Sequence, residues 1–187
     1  MHPPDDLVSV LIQDHRDLQQ LHFELGYTIE FPRLRHSLVE LLIAEVVRHE
    51  VAEETYVFPV VRARLPHGPA LVDEDVAGHR EIWQVLNSLD EPDLTSEEFA
   101  SRLSRLKATT APHTRAEEEE LYPALTEHLD EDERVALGRA ALRAKEKAAL
   151  RRYLAEPDCS LRNRVCSSPT TLAERVRTYL RADAYRL

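Results

Sequence analysis

Residues 49–59 read HEVAEETYVFP, and residues 113–123 read HTRAEEEELYP. The second stretch repeats the first 64 positions later, in the pattern His, three residues, Glu-Glu, three residues, aromatic, Pro. The offset also holds upstream, where His15-Arg16-Asp17-Leu18 recurs as His79-Arg80-Glu81-Ile82. Histidines, paired glutamates and a proline kept in register describe an internally duplicated unit, and a duplicated unit repeats its architecture. The distance along the chain from His15 to His49 therefore equals that from His79 to His113.

Around these motifs the apolar residues recur at helical spacing, with no convincing alternating stretch. A first helix is expected from about Asp5 to Leu25, with Leu7, Val8, Leu11, Ile12, Leu18, Leu21 and Leu25 on one stripe that also carries His15. A second begins near Pro32, a good first-turn residue, and runs through His49 and Glu53 to the stop Leu65-Pro66-His67-Gly68-Pro69. A third, about Ala70 to Leu89, places Leu71, Val72, Val76, His79, Ile82, Trp83 and Leu86 on one side. The fourth opens with a capping box, Thr95-Ser96-Glu97-Glu98, and continues to about His128. Pro59, Pro112 and Pro123 fall inside the second and fourth helices, and each predicts a kink. Asp130-Glu131-Asp132-Glu133 leads into a fifth helix, Ala136 to Leu154, then a polar linker from Glu156 to Pro169 and a short helix capped by Thr171-Leu172-Ala173-Glu174. Short connections force consecutive helices to run antiparallel, so the fold class is all-α, an up-down-up-down four-helix bundle with additional C-terminal helices. Residues 1–129 form the bundle, 130–155 a helix packed on it, and 156–187 a linker and short basic helix.

Apolar residues make up 43% of the 187 and charged residues 31%, with only four Gly, which fits a soluble helical protein and not a disordered one. The net charge of −10 is uneven, because residues 151–187 hold eight Arg against four acidic side chains. An acidic body argues against nucleic acid as a partner. No apolar run reaches the roughly 18 to 20 residues of a membrane span, so no membrane partner is expected, and with no secretory signal the cytoplasm is the expected location. Cys159 and Cys166 lack Cys-x-x-Cys spacing and read as two reduced thiols.

Residues four apart on an α-helix share a face, one turn from each other. His49 with Glu53, and His113 with Glu117, thus each present a nitrogen and a carboxylate in one direction, while His15 and His79 add an imidazole from each remaining helix. Ionisable groups on core faces are costly unless paired or bound to metal. Four imidazoles and two carboxylates exceed the needs of one tetrahedral zinc and suit two ions bridged by the carboxylates. Any one of these residues alone would read as an ordinary core histidine or its carboxylate partner; six in repeat register read as a site. His49-Glu50-Val51-Ala52-Glu53 ends in Glu where a zinc-protease helix requires His, and no histidine follows a Glu by three positions as in ferritin-like bundles. Glu118, Glu119 and Glu120 read as a solvated helix face.

The pattern His15, His49-xxx-Glu53, His79, His113-xxx-Glu117, with its aromatic-Pro extensions, resembles the hemerythrin family, specifically the bacterial hemerythrin HHE cation-binding domains, over about Asp5 to Leu129. The resemblance implies a non-haem di-iron centre and no haem. In it His15, His49, His79 and His113 would be terminal ligands to two iron ions, Glu53 and Glu117 would bridge them, and an oxo or hydroxo bridge would complete the pair. Oxygen-carrying hemerythrins have a fifth histidine one turn after the helix 3 ligand and an Asp five residues after the last histidine. Here those features are Trp83 and a Glu four residues after His113, a departure that favours reactivity over reversible carriage.

Glu45, one turn before His49, and Tyr56, three residues beyond Glu53, are placed to hydrogen-bond a ligand or replace a water on a metal. His22, two turns from His15, has Leu86 as its counterpart and reads as a partly exposed or core-edge histidine. Gly78 beside His79 suggests a close packing contact or local give near the ligand. Two functions remain open at this level. One is a di-iron protein that binds, senses or reacts with O2, peroxide or nitric oxide, with catalase-like turnover left undecided because no general acid or base can be named. The other is an iron- or oxygen-responsive regulator whose metal occupancy orders the bundle and whose basic C-terminal segment contacts a protein partner. A metal-free helical interaction module survives only if the six side chains do not converge. The ligands alone would also accept Mn or Zn.

Overall fold

The computed structural model describes residues 3–91 and 93–147. The linker, the last helix and both cysteines lie outside these residues. Asp6 starts α1 (Leu7–Tyr27) by accepting the Val8 N–H at 2.9 Å. Pro32 opens α2 (Pro32–Ala52), which passes through a π-helical turn, Glu53–Val57, into α3 (Phe58–Arg64). Leu65, held extended ahead of Pro66, ends that rod. His67 then adopts a left-handed conformation at φ 57°. Gly68 begins α4 (Gly68–Leu89) so close to α3 that a Cβ there would lie 2.0 Å from the Val61 carbonyl oxygen. The Thr95–Glu98 capping box starts α5 (Ser96–Ala116), followed by a second π turn, Glu117–Leu121, and α6 (Tyr122–His128). Asp130 and Glu133 form a further reciprocal cap, at 2.8 and 3.2 Å, for α7 (Glu131–Lys147). This helix therefore starts five residues ahead of the expected Ala136, because the acidic run supplies its cap and first turn.

The described residues form an all-α bundle, as expected, and the duplication extends to its irregularities. Adding 64 to the bounds of α2, its π turn and α3 gives those of α5, its π turn and α6. Pro59 and Pro123 explain why. Each lacks an N–H and would drive its ring into the carbonyl four residues back. A π turn immediately upstream widens the backbone there, with the Phe58 N–H reaching Glu53 O and the Tyr122 N–H reaching Glu117 O. Pro112 has no π turn beside it, and α5 continues through it as α-helix. Pro112 and Ala108, whose carbonyl it leaves without an amide, are both exposed, so water can satisfy that oxygen.

Among the described residues the core has two large apolar clusters and a small one around Ala44 and Val47. One apolar cluster gathers Leu21, Leu25, Leu41, Leu42, Leu86, Phe99 and Leu106, and the other gathers Leu7, Leu11, Val57, Val61, Tyr122 and Leu125. Burying each such leucine is worth about 1.5–3 kcal/mol. Between the clusters lies a polar layer. α7 packs along α1 and α2, tied by a buried ion pair of Arg134 Nε and Asp6 Oδ2 at 2.8 Å. Arg134 also donates to the Leu129 carbonyl at 2.6 Å. Arg134→Ala would leave Asp6 buried without that partner, and should lower stability in urea unfolding by about 3–5 kcal/mol. A loss below about 1 kcal/mol would show that the junction is hydrated.

Candidate metal centre

The polar layer is built by the two ligand-bearing helix pairs. His15 on α1 and His49 on α2 lie edge to face with ring centroids 4.9 Å apart, and His79 on α4 and His113 on α5 repeat this at 4.9 Å. Each carboxylate sits between one imidazole of each pair. Glu53 Oε2 is 3.4 Å from His49 Nε2 and 3.2 Å from His79 Nε2. The Glu117 oxygens lie 3.1 Å from His15 Nε2 and 3.4 Å from His113 Nε2. All six residues thus meet in one layer, with donor atoms of His15, His49 and Glu117, and of Asp75, His79, His113 and Glu117, in two groups each within 4.8 Å.

Hydrogen bonding fails at the centre of this layer. Glu53 Oε2, both Glu117 oxygens and His79 Nε2 are buried without a hydrogen bond of acceptable geometry. Leaving such groups unsatisfied is costly, and costliest for a charge. Burial, then the charges of Glu53 and Asp75, push the Glu117 carboxyl well above its ordinary range. Burial acts on Glu53 in the same direction, but His49 and His79 outweigh it and hold this carboxyl low. Burial alone would lower His79, yet the adjoining Glu53 carries it up to about 9. Both carboxylates can be ionised together only with added positive charge, which bound cations would supply. The residues present therefore fit a two-metal group.

Other carboxylates hold the far side of three rings. Glu118 Oε1 lies 2.7 Å from His15 Nδ1, Asp14 Oδ2 3.3 Å from His49 Nδ1, and Asp75 Oδ1 3.5 Å from His113 Nδ1. Such partners fix the ring and turn Nε2 toward a metal. Glu118 is thus not simply part of a solvated face. The Tyr122 hydroxyl donates to Glu53 Oε1 at 3.2 Å and lies 3.3 Å from His15 Nε2, and Phe58, its counterpart, stacks on His79. Of the residues singled out beside the ligands, Glu45 pairs with Arg48 at 3.3 Å and Tyr56 packs at the edge of the apolar cluster around Val57. Trp83 Nε1 donates to Glu50 Oε2 at 2.6 Å.

Sequence spacing missed Tyr122 for a geometric reason. At about 100° per residue, a position five after Glu117 faces roughly 140° away from it on a regular helix. The π turn absorbs one residue and swings Tyr122 back onto the centre. Asp14 and Asp75 were hidden because one adjoins a ligand and the other lies one turn before His79, without repeat counterparts of their own kind.

His22 lines a predominantly apolar cavity of about 380 Å³ with Leu18, Val46, Ile82, Leu86 and Leu106, and the imidazoles of His15, His49, His79 and His113 form part of its wall. Burial, with the nearby Lys107 charge second, lowers the His22 pKa to about 4.

The fold and donor set define a metal-binding four-helix bundle. Comparison with known families matches residues 6–125, more than half of the chain, to the hemerythrin HHE cation binding domain. The chain belongs to that family. No curated protein and no solved structure matches it. No helix among the described residues is long and apolar enough to cross a membrane.

Gly78 and His22 each generate a test. A Cβ on residue 78 would lie 2.6 Å from His113 Nδ1. Gly78→Ala should therefore reduce the metal bound per chain on equilibrium dialysis, even though alanine favours the helix by about 1 kcal/mol; undiminished binding would mean His113 moves freely. His22 takes its proton near pH 6.5 when unfolded but only near 4 when folded, so it withdraws stability from metal-free protein as pH falls across that interval. His22→Leu should remove about 3 kcal/mol of acid-induced loss between pH 7 and 4, as the difference between parent and variant in urea titrations. Parallel pH profiles would contradict this burial of the neutral ring.

Proposed function

We propose that this protein holds two iron ions and uses them to react with or sense O2, peroxide or nitric oxide. The observation that supports this best is the set of buried carboxylate oxygens of Glu53 and Glu117, with His79 Nε2, that lack hydrogen bonds beside an apolar cavity walled by four imidazoles. His15 and His49 would hold one ion, His79 and His113 the other, with Glu53 and Glu117 spanning the pair. The ions, when bound, would supply electrons to a small oxidant.

The chain contributes placement, exclusion of water and a proton. Asp14, Asp75 and Glu118 orient imidazoles. Leu18, Val46, Ile82, Leu86 and Leu106 line the approach with hydrocarbon, which admits small uncharged molecules more readily than hydrated ions. Burial, then the Glu53 charge, raises the Tyr122 phenol well above its ordinary range, so the hydroxyl stays protonated and able to donate at Glu53 Oε1. One turn after His79, Trp83 offers an indole N–H, which is a donor only and cannot ligate a metal. The ion held by His79 and His113 would therefore have fewer nitrogen ligands than in an oxygen carrier. This favours reaction over reversible carriage.

The test is metal analysis of protein from iron-replete cells, with absorption spectra taken anaerobically and in air. The expected result is two irons per chain and irreversible oxidation on exposure to air or peroxide. Repeated oxygenation and deoxygenation under vacuum would restore the carrier reading. Trp83→His should lengthen the lifetime of the oxygenated form, and no change would transfer control to the cavity or the bridging carboxylates.

A further inference from the structure

The pseudo-twofold relation between the halves gives the bundle two equivalent grooves, one between α1 and α2 and one between α4 and α5. They have different fates. α7 lies over the first, with Lys145 Nζ contacting Asp14 and the Lys145 carbonyl accepting from Arg48 Nε at 2.9 Å. Val10, Glu45 and Arg48 along it are buried, Val10 and Arg48 to 4% exposure. Their counterparts 64 positions later, Glu74, Thr109 and Pro112, border an uncovered slot of about 400 Å³.

The slot is acidic from rim to floor. Glu74, Glu81 and Glu120 are exposed on its walls, and Asp75, His113 and Glu117 line it more deeply, with no Lys or Arg among its lining residues. Asp75 is 9% exposed, and its Oδ2 has no hydrogen-bond partner among the described residues. A donor atom of Asp75 also falls within the 4.8 Å group containing His79, His113 and Glu117. Gly78 is a second lining feature, and its lack of a side chain removes bulk where the slot meets His113. The apolar cavity, by contrast, presents hydrocarbon on the approach to the same imidazoles.

We propose that the slot between α4 and α5 is the route by which a divalent cation reaches the centre, with Asp75 as the ligand that hands it from the acidic rim to His113 and Glu117. This rests on the two-metal reading of the centre. A cleft lined by one sign of charge concentrates the opposite ion and raises its association rate by about 10- to 1000-fold, an effect that salt suppresses. The division of labour follows: cations arrive on the carboxylate side and uncharged small molecules on the apolar side, while α7 keeps the equivalent groove shut.

Cobalt(II) is a suitable probe, because its visible absorption reports ligation without oxidation. Metal-free full-length protein would be mixed with cobalt(II) in a stopped-flow instrument at low and high salt. The triple variant Glu74→Lys, Glu81→Lys, Glu120→Lys should load at least about tenfold more slowly than wild type at low salt, reach the same final stoichiometry, and approach the wild-type rate in about 1 M salt. A control with the same change in charge, Asp17→Lys, Glu24→Lys, Glu54→Lys, should load at close to the wild-type rate. Asp75→Asn, alone, should slow loading even with the rim carboxylates intact. Wild-type protein that takes up no cobalt overturns the metal centre itself. Normal loading of wild type with an unmoved rate in the triple variant overturns the slot alone, as would equal slowing by the control set.

Discussion

Two carboxylates buried between four imidazoles set the terms for the rest of the molecule. Glu53 and Glu117 are almost fully enclosed, and the oxygens that face the imidazoles lack adequate hydrogen bonds. Burial, and after it repulsion from neighbouring carboxylates, pushes Glu117 toward its neutral form, while histidines hold Glu53 ionised against its own burial. Cations bound there, as proposed, would relieve both the repulsion and the missing hydrogen bonds. The apolar clusters at either end provide the stability that lets the bundle tolerate this layer without cations present.

The π turns connect that layer to the backbone. Each begins at a carboxylate that faces two imidazoles and ends one residue before the aromatic that stacks on a histidine. A proline one position later makes an ordinary turn unfavourable, so the widened backbone is a consequence of Pro59 and Pro123 as much as of the site. The same feature delivers Phe58 to one half and the Tyr122 hydroxyl to the other. Duplication therefore supplied a symmetric frame, and a single hydroxyl distinguishes its two ends.

Asymmetry also comes from α7 and from the pair Asp14 and Gly78. In one half Asp14 precedes the α1 ligand, supports His49 and meets Lys145. In the other, Gly78 occupies that position, α5 approaches closely, and Asp75 supports His113 from one turn earlier. One groove is thereby filled by a helix and the other left open and acidic. An additional helix packed on a symmetric bundle has a consequence beyond stability, because it decides which side of the centre meets solvent.

The all-α fold, the order of its helices and the residues that meet at its centre were legible in the chain alone, because helical periodicity and a 64-residue repeat are local properties that survive without knowledge of packing. His15, His49, Glu53, His79, His113 and Glu117 stood out because polar groups recurred on apolar stripes. Tertiary structure decided what periodicity could not express. Two π turns altered the register: the first leaves Tyr56 at the edge of an apolar cluster, and the second brings Tyr122 onto Glu53 and His15. Pro112 stayed within a continuous helix, where the carbonyl it leaves unpaired, that of Ala108, lies on an exposed residue. Glu45 turned to Arg48 beneath α7, and Asp14, Asp75 and Glu118 reached histidines on other helices. Those assignments depend on distances between elements far apart in sequence, and only the packed chain fixes such distances.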